Sequence, residues 1–167
     1  ADDRPAEAET VLREALRLMP GHPSARFNLG AAMVANGTMD PDFLTDWFAV
    51  PGPVPPVVST AVIDHLLDSP FCARLADGDQ PLTEAELATL AAAPMLRGLL
   101  RRTLIDDDRL ERLLTRARLG LVDAEVGAEF AAAMAWQCFL NEYVYRETAE
   151  ETAAVEGLAE RLVDDLA

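Results

Sequence analysis

An all-α fold is what this sequence predicts, and three observations predict it. Half of the 167 residues are hydrophobic but only 6% are aromatic, a composition suited to helices packed through aliphatic side chains. Apolar positions recur at three- and four-residue steps in one segment after another, the period of a single helix face. No window alternates as a half-buried strand does, so a parallel α/β domain is not expected within these residues. The length suffices for one domain or for two small helical units with real cores. The organisation expected is a helical hairpin and cap over residues 1–50, a proline-rich connector over 51–58, and an irregular multi-helix bundle over 59–167.

The first helix is marked by Ala8, Val11, Leu12, Ala15, Leu16 and Met19, with Pro5 in its first turn, where a missing N–H costs nothing. The run Pro20-Gly21-His22-Pro23 stops it, and a second helix is expected from about Ser24 to Asn36, closed by Gly37 as a left-handed C′ residue. Small residues at Ala15 and Gly30 are expected at the close approach of the two helices, with Leu12 and Leu29 filling the seam. Asp40 or Asp42 then suits the cap of a short helix through Phe43, Leu44, Trp47 and Phe48. Beyond it, Pro51-Gly52-Pro53-Val54-Pro55-Pro56 favours extended backbone and forms the best internal boundary.

A helix beginning at Ser59 or Thr60 carries Val62, Ile63, Leu66 and Leu67 and ends near Ser69-Pro70; a short turn around Phe71 to Leu75 follows. Thr83 and Glu86 have the spacing of a capping box ahead of Leu87 and Leu90, and Pro94 separates that helix from a segment carrying Met95, Leu96, Leu99, Leu100 and Leu104. Asp106, Asp107 and Asp108 stand where a helix dipole favours negative charge, before a buried stripe of Leu110, Leu113, Leu114 and Ala117. The least polar stretch, residues 127–146, is expected to be the longest helix and the centre of the fold, with Phe130, Met134, Ala135, Cys138 and Phe139 inside. A last helix starts near Thr148, which with Glu151 has the spacing of a second capping box, and carries Val155, Leu158, Leu162, Val163 and Leu166.

Charge and cysteine usage narrow the function. The net charge is −15 and every basic residue other than the two histidines is arginine. Such a surface repels phosphate backbones, so nucleic acid is not an expected partner. Cys72 and Cys138 form no CxxC pair, which suggests neither a disulfide framework nor a zinc knuckle. No segment reaches the roughly 18 apolar residues of a membrane span, and ADDRPAEAET lacks the features of a secretory signal. A cytoplasmic protein without membrane partners is expected, and the abrupt start without Met fits either a piece of a longer chain or a processed natural terminus.

No residue pattern amounts to a catalytic or metal site. The loop around Asp77 and Asp79 has Leu82 where a calcium loop needs glycine and Ala88 where it needs a bidentate glutamate. His22 and His65 lack the partners of a metal shell or a nucleophile, and both suit surface or packing roles. Gly78, Gly98, Gly120, Gly127 and Gly157 are isolated, so no glycine-rich turn follows a strand to cradle a cofactor. The most unusual stretch runs from Ala135 to Tyr145. Gln137 and Asn141 are four apart on one helix stripe, so their amides must meet water or cross-link neighbouring helices. Two readings stand: a buried polar network that sets helix register, or an interface formed by Trp136, Gln137, Asn141, Glu142 and Tyr143, since Trp and Tyr are favoured at interfaces.

Two resemblances add to this reading. Ala8, Leu12, Ala15 and Pro20 stand where the second helix of a tetratricopeptide repeat (TPR) carries small, large, small and proline residues, and Leu29-Gly30 match the next repeat's Leu-Gly pair. The likeness covers residues 6–37 and then fails: Arg26 occupies the usual aromatic position and Asp42 a position for a small residue. The segment from Gln137 to Tyr145, the acidic run from Glu147 to Glu151 and the earlier segment from Leu110 to Arg118 resemble the region upstream of the catalytic domain in bacterial TPR methyltransferases. That resemblance implies a helical region leading into a Rossmann-like domain that binds S-adenosylmethionine. The present residues would then be the non-catalytic, substrate-positioning or protein-interaction part, holding no cofactor themselves and partnering an adjacent methyltransferase domain or a peptide. A free-standing TPR-like peptide-binding or scaffolding protein is the alternative. An enzyme in its own right would have to assemble Glu142, Tyr143 and His65 in space.

Overall fold

The computed structural model describes residues 4–49, 52–122, 124, 127–142 and 147–165; the side chains of 41, 46, 49, 162 and 165 are outside that description. Among the described residues there are ten α-helices and no strand. They fall into two compact units, Ala1–His65 and Leu66–Ala167.

The first unit begins with the hairpin of α1 (Arg4–Leu18) and α2 (Pro23–Asn36). His22 starts α2 as its N-cap, its Nδ1 accepting from Ala25 N at 3.3 Å, with Pro23 at the first helical position. Gly37 ends α2 at φ 66°; its N–H donates to Val34 O and that of Thr38 to Met33 O, the paired bonds of a Schellman closure. Glu9 ties the two helices together, accepting from Asn36 Nδ2 at 2.8 Å and Thr38 Oγ1 at 2.7 Å. Since Glu9 lies early in α1 and Asn36 ends α2, the helices are antiparallel.

The expected seam is partly corrected. A Cβ on Gly30 would meet Val58 Cγ2 at 3.0 Å and the Trp47 ring at 3.6 Å, so Gly30 admits later helices and not Ala15. Those helices are α3 (Pro41–Ala49) and α4 (Pro56–Leu67), the latter starting ahead of Ser59 and running past the unit boundary. Asp40 caps α3, its Oδ1 accepting from Asp42 N at 2.9 Å. Leu29, Met33, Leu44, Trp47, Val58 and Val62 form the core, with the Trp47 and Phe48 rings edge to face. Arg26, at the usual aromatic position of a repeat, donates from Nη2 to Trp47 O at 3.0 Å.

The second unit contains α5 (Pro70–Ala76), α6 (Glu84–Ala91), α7 (Pro94–Leu100), α8 (Asp108–Leu121), α9 (Ala128–Leu140) and α10 (Ala149–Asp165). Its hub is α8, which packs against α5, α6, α9 and α10. This corrects the expectation of a central helix over 127–146. The stripe Leu110, Leu113, Leu114 and Ala117 is at most 1% exposed, and burial of such a leucine is worth about 1.5–3 kcal/mol. Asp107 caps α8, its Oδ1 accepting from Arg109 N and Leu110 N, and the Thr83–Glu86 capping box is formed in both directions.

Helix α9 ends at Leu140, with Glu142 at φ 53° where a left-handed closing residue stands; α10 is longer. Phe130 and Met134 are buried as expected, whereas Ala135 and Phe139 are exposed. The part of the expected helix at 143–146 lies outside the described residues. In α10, Val155 and Val163 are exposed, and α8 is the element packed against this helix among the described residues. Leu162 and Leu166 fall outside the described side chains. Only half of the expected second capping box forms. Glu151 N donates to Thr148 Oγ1 at 3.1 Å, but the Glu151 carboxylate turns to Arg118 Nε at 2.6 Å.

Candidate functional site

Two places in the molecule bear on recognition, one in each unit. In the second, the polar face of α9 meets the backbone that leaves α7. The last carbonyls of a helix lack intrahelical donors, and here α9 side chains supply them. Trp136 Nε1 donates to Arg101 O at 3.0 Å. The Gln137 carboxamide, 3% exposed, donates from Nε2 to Asn141 Oδ1 at 2.7 Å and lies against the Leu100 and Thr103 carbonyls. Asn141 pairs with both backbone groups of Ile105: its Oδ1 accepts from Ile105 N and its Nδ2 donates to Ile105 O, each at 3.3 Å. Three of the five interface candidates are thus brought together as a brace on residues 100–105.

The other two are not part of that brace. Glu142 is exposed just past the helix end, and Tyr143 lies outside the described residues. Trp136 keeps half its surface open although its indole N–H is satisfied, and its ring tilts against exposed Phe139 at 5.3 Å between centroids. The exposed positions Ala128, Ala131, Ala132, Ala135, Trp136 and Phe139 together make an apolar outer face on α9.

In the same unit, Arg118 joins α8 to α10. Its side chain and that of Glu151 are 10% and 6% exposed; Arg118 also reaches Glu111 at 3.2 Å and Thr115 Oγ1 at 2.9 Å. Burial alone would lower the Arg118 pKa, but Glu151 and Glu111 outweigh it and hold the guanidinium more firmly protonated than usual. This is a structural link: Glu151 Oε1 meets the guanidinium, while Glu151 Oε2 is buried without a hydrogen bond among the described residues.

The second place is an open groove along the hairpin, about 520 Å³ in volume, lined by Arg4, Glu7, Ala8, Val11, Leu12 and Asn28. None of the α1 residues is fully buried, and Val11 is 66% exposed. The sequence marked Val11 as part of an apolar stripe but gave no sign that it stands open: period reveals which face is apolar, not what covers it. Around the groove, Arg13 and Arg17 pair with Glu9 and Glu14 on the same helix, at 2.8 Å and 2.7 Å.

His22 serves as a helix cap, and His65 is exposed on α4. Among the described residues no cluster of three or more His, Cys, Asp or Glu could hold a metal ion, and no helix is long and apolar enough to cross a membrane. No protein-family model matches the chain, and no curated protein or solved structure matches it either.

Proposed function

We propose that this chain is a non-catalytic, cytoplasmic helical interaction region whose hairpin groove receives a protein or peptide segment. The observation that carries the reading is the uncovered stripe of α1. A helix with exposed Val11, Leu18 and Met19 gains stability when an apolar partner removes that surface from water. The groove's polar rim of Arg4, Glu7 and Asn28 supplies groups that orient a backbone or a charged side chain. The resemblance of residues 6–37 to a TPR half-pair, and of residues 110–118 and 137–145 to the region ahead of a methyltransferase domain, gives the partner's class. It is an adjacent S-adenosylmethionine-dependent domain, or the substrate presented to it.

Three measurements test this. Titration calorimetry of the chain with S-adenosylmethionine should give no saturable heat, because among the described residues no glycine-rich turn follows a strand to form a ledge for such a cofactor; tight binding would remove the non-catalytic reading. Sequencing the reading frame past Ala167 separates the accessory region, which continues through a strand into a glycine-rich turn, from the free-standing scaffold, which meets a stop codon. With the partner in hand, Val11→Glu should weaken association about tenfold or more by placing a charge in the apolar groove, and undiminished binding would exclude the groove as the contact.

A further inference from the structure

The second unit holds a pocket that the interaction reading does not use and on which it does not depend. It is about 150 Å³ and is lined by Gly78, Asp79, Arg112, Thr115, Arg116 and Thr148. In a chain of net charge −15, arginines readily find carboxylates: Arg13, Arg17, Arg97, Arg109 and Arg118 each form an ion pair. Arg112 and Arg116, one helical turn apart on α8, form none among the described residues. Arg116 donates from Nε to Gln80 O, and its Nη1 is buried without an acceptor among the described residues. A guanidinium N–H left so is costly, which makes the position one that an incoming acceptor would stabilise.

A further donor among the described residues is the Thr148 hydroxyl. Its oxygen accepts from Glu151 N as the cap of α10, which leaves the hydroxyl proton free to donate outward. Thr115 is already engaged, donating to Glu111 O and accepting from Arg118. The floor is shaped for the guanidinium, since a Cβ on Gly78 would stand 2.7 Å from Arg116 Nη1 and 2.8 Å from Nη2. Two carboxylates oppose the arginines: Asp79 at the pocket wall, and Glu86, which Arg116 influences weakly while Thr83 holds it.

From this arrangement we infer that the pocket is a binding site for a single phosphate group, free or carried as a monoester. Two guanidiniums and a hydroxyl provide charge and donors for a dianion with three accessible oxygens, and arginine's fork suits phosphate geometry. The size argues the same way. The volume is below the roughly 300–1,000 Å³ of pockets for drug-sized ligands, which suits a small anionic group. Asp79 can accept a proton-bearing phosphate oxygen or an ammonium on the tail, which would favour a zwitterionic monoester.

The test is a titration of the full chain with inorganic phosphate and, separately, with O-phosphoserine, at constant ionic strength set by chloride. Arginine Nε–H resonances are followed by nitrogen-edited NMR. Saturable shifts confined to Arg112 and Arg116 are expected, and the tighter of the two probes identifies the source as free ion or monoester. Arg112→Gln, at an exposed position without an internal partner, should fold normally and weaken binding about tenfold or more. Gly78→Ala should also weaken it, by displacing the Arg116 guanidinium. Shifts that fail to saturate, or unchanged affinity in either variant, would overturn the assignment.

Discussion

Replacing Gly120 by alanine sets two opposed effects against each other, and the structure decides the sign. Gly120 is the penultimate residue of α8, where alanine's better helix propensity offers at most about 1 kcal/mol. Against this, a Cβ at that position would stand 2.5 Å from the Leu82 carbonyl oxygen, 3.3 Å from Leu82 N and 3.2 Å from Leu87 Cδ1. The closest of these atoms is backbone, held in place by the hydrogen bond of Leu82 N to Arg116 O at 3.3 Å and by burial of the Leu82 side chain. Overpacking of this kind costs about 1–3 kcal/mol, occasionally more. The net expectation for Gly120→Ala is a loss of about 1–2 kcal/mol. Gly157→Ala is the internal control. Gly157 lies inside α10 with nothing within 4 Å of its would-be Cβ, so only the propensity term acts, and stability should rise by about 0.5–1 kcal/mol. Both residues belong to the second unit, so urea unfolding followed by far-UV circular dichroism reads both substitutions in the same structure. Equal or increased stability of Gly120→Ala would show that residue 82 does not sit on α8 as described. Because Gln80 and Leu82 both anchor to Arg116, the same substitution should also shift the Arg116 Nε–H resonance.

Two further outcomes follow from the charged groups. Glu151→Gln removes the principal carboxylate from Arg118 in a nearly closed environment and should cost about 3 kcal/mol, whereas Arg118→Met combined with Glu151→Leu should recover most of that loss; a double variant no better than the single would contradict the pairing. Acid should weaken both units. Hydrogen bonds from Asn36 and Thr38 hold Glu9 below the usual glutamate value, the Thr83 backbone does the same for Glu86, and Arg109 for Asp107. For groups with lowered folded-state pKa, the stabilisation is complete above the unfolded values of about 4 and disappears as pH falls through the folded ones. Melting temperatures should therefore drop on acidification below about pH 4, and Glu9→Gln should flatten that dependence for the first unit.

Several elements were legible in the residues because their causes are local. Thr83 three positions before Glu86, Asp107 ahead of the α8 stripe and Gly37 after Asn36 each close a helix end with atoms only a few residues away, and α8 needed nothing beyond its own period to show its buried face. The helical class followed from the same short-range chemistry. What tertiary structure decided was which faces meet and which polar groups find one another. Gly30 looked like half of a hairpin seam but admits Val58 and Trp47, since a small residue shows that something approaches without showing what. Glu151 has the spacing to complete a cap at Thr148 and is drawn instead to Arg118, a charge 33 residues away. Phe139 and Val11 carry apolar side chains at helical period yet stand exposed. The recognition surfaces were illegible for the same reason. The brace of Trp136, Gln137 and Asn141 depends on carbonyls roughly 35 residues earlier in the chain, and the pocket of Arg112 and Arg116 exists because carboxylates elsewhere chose other partners. A helix's period belongs to one segment, but burial and charge pairing belong to two, and only the folded chain selects the second.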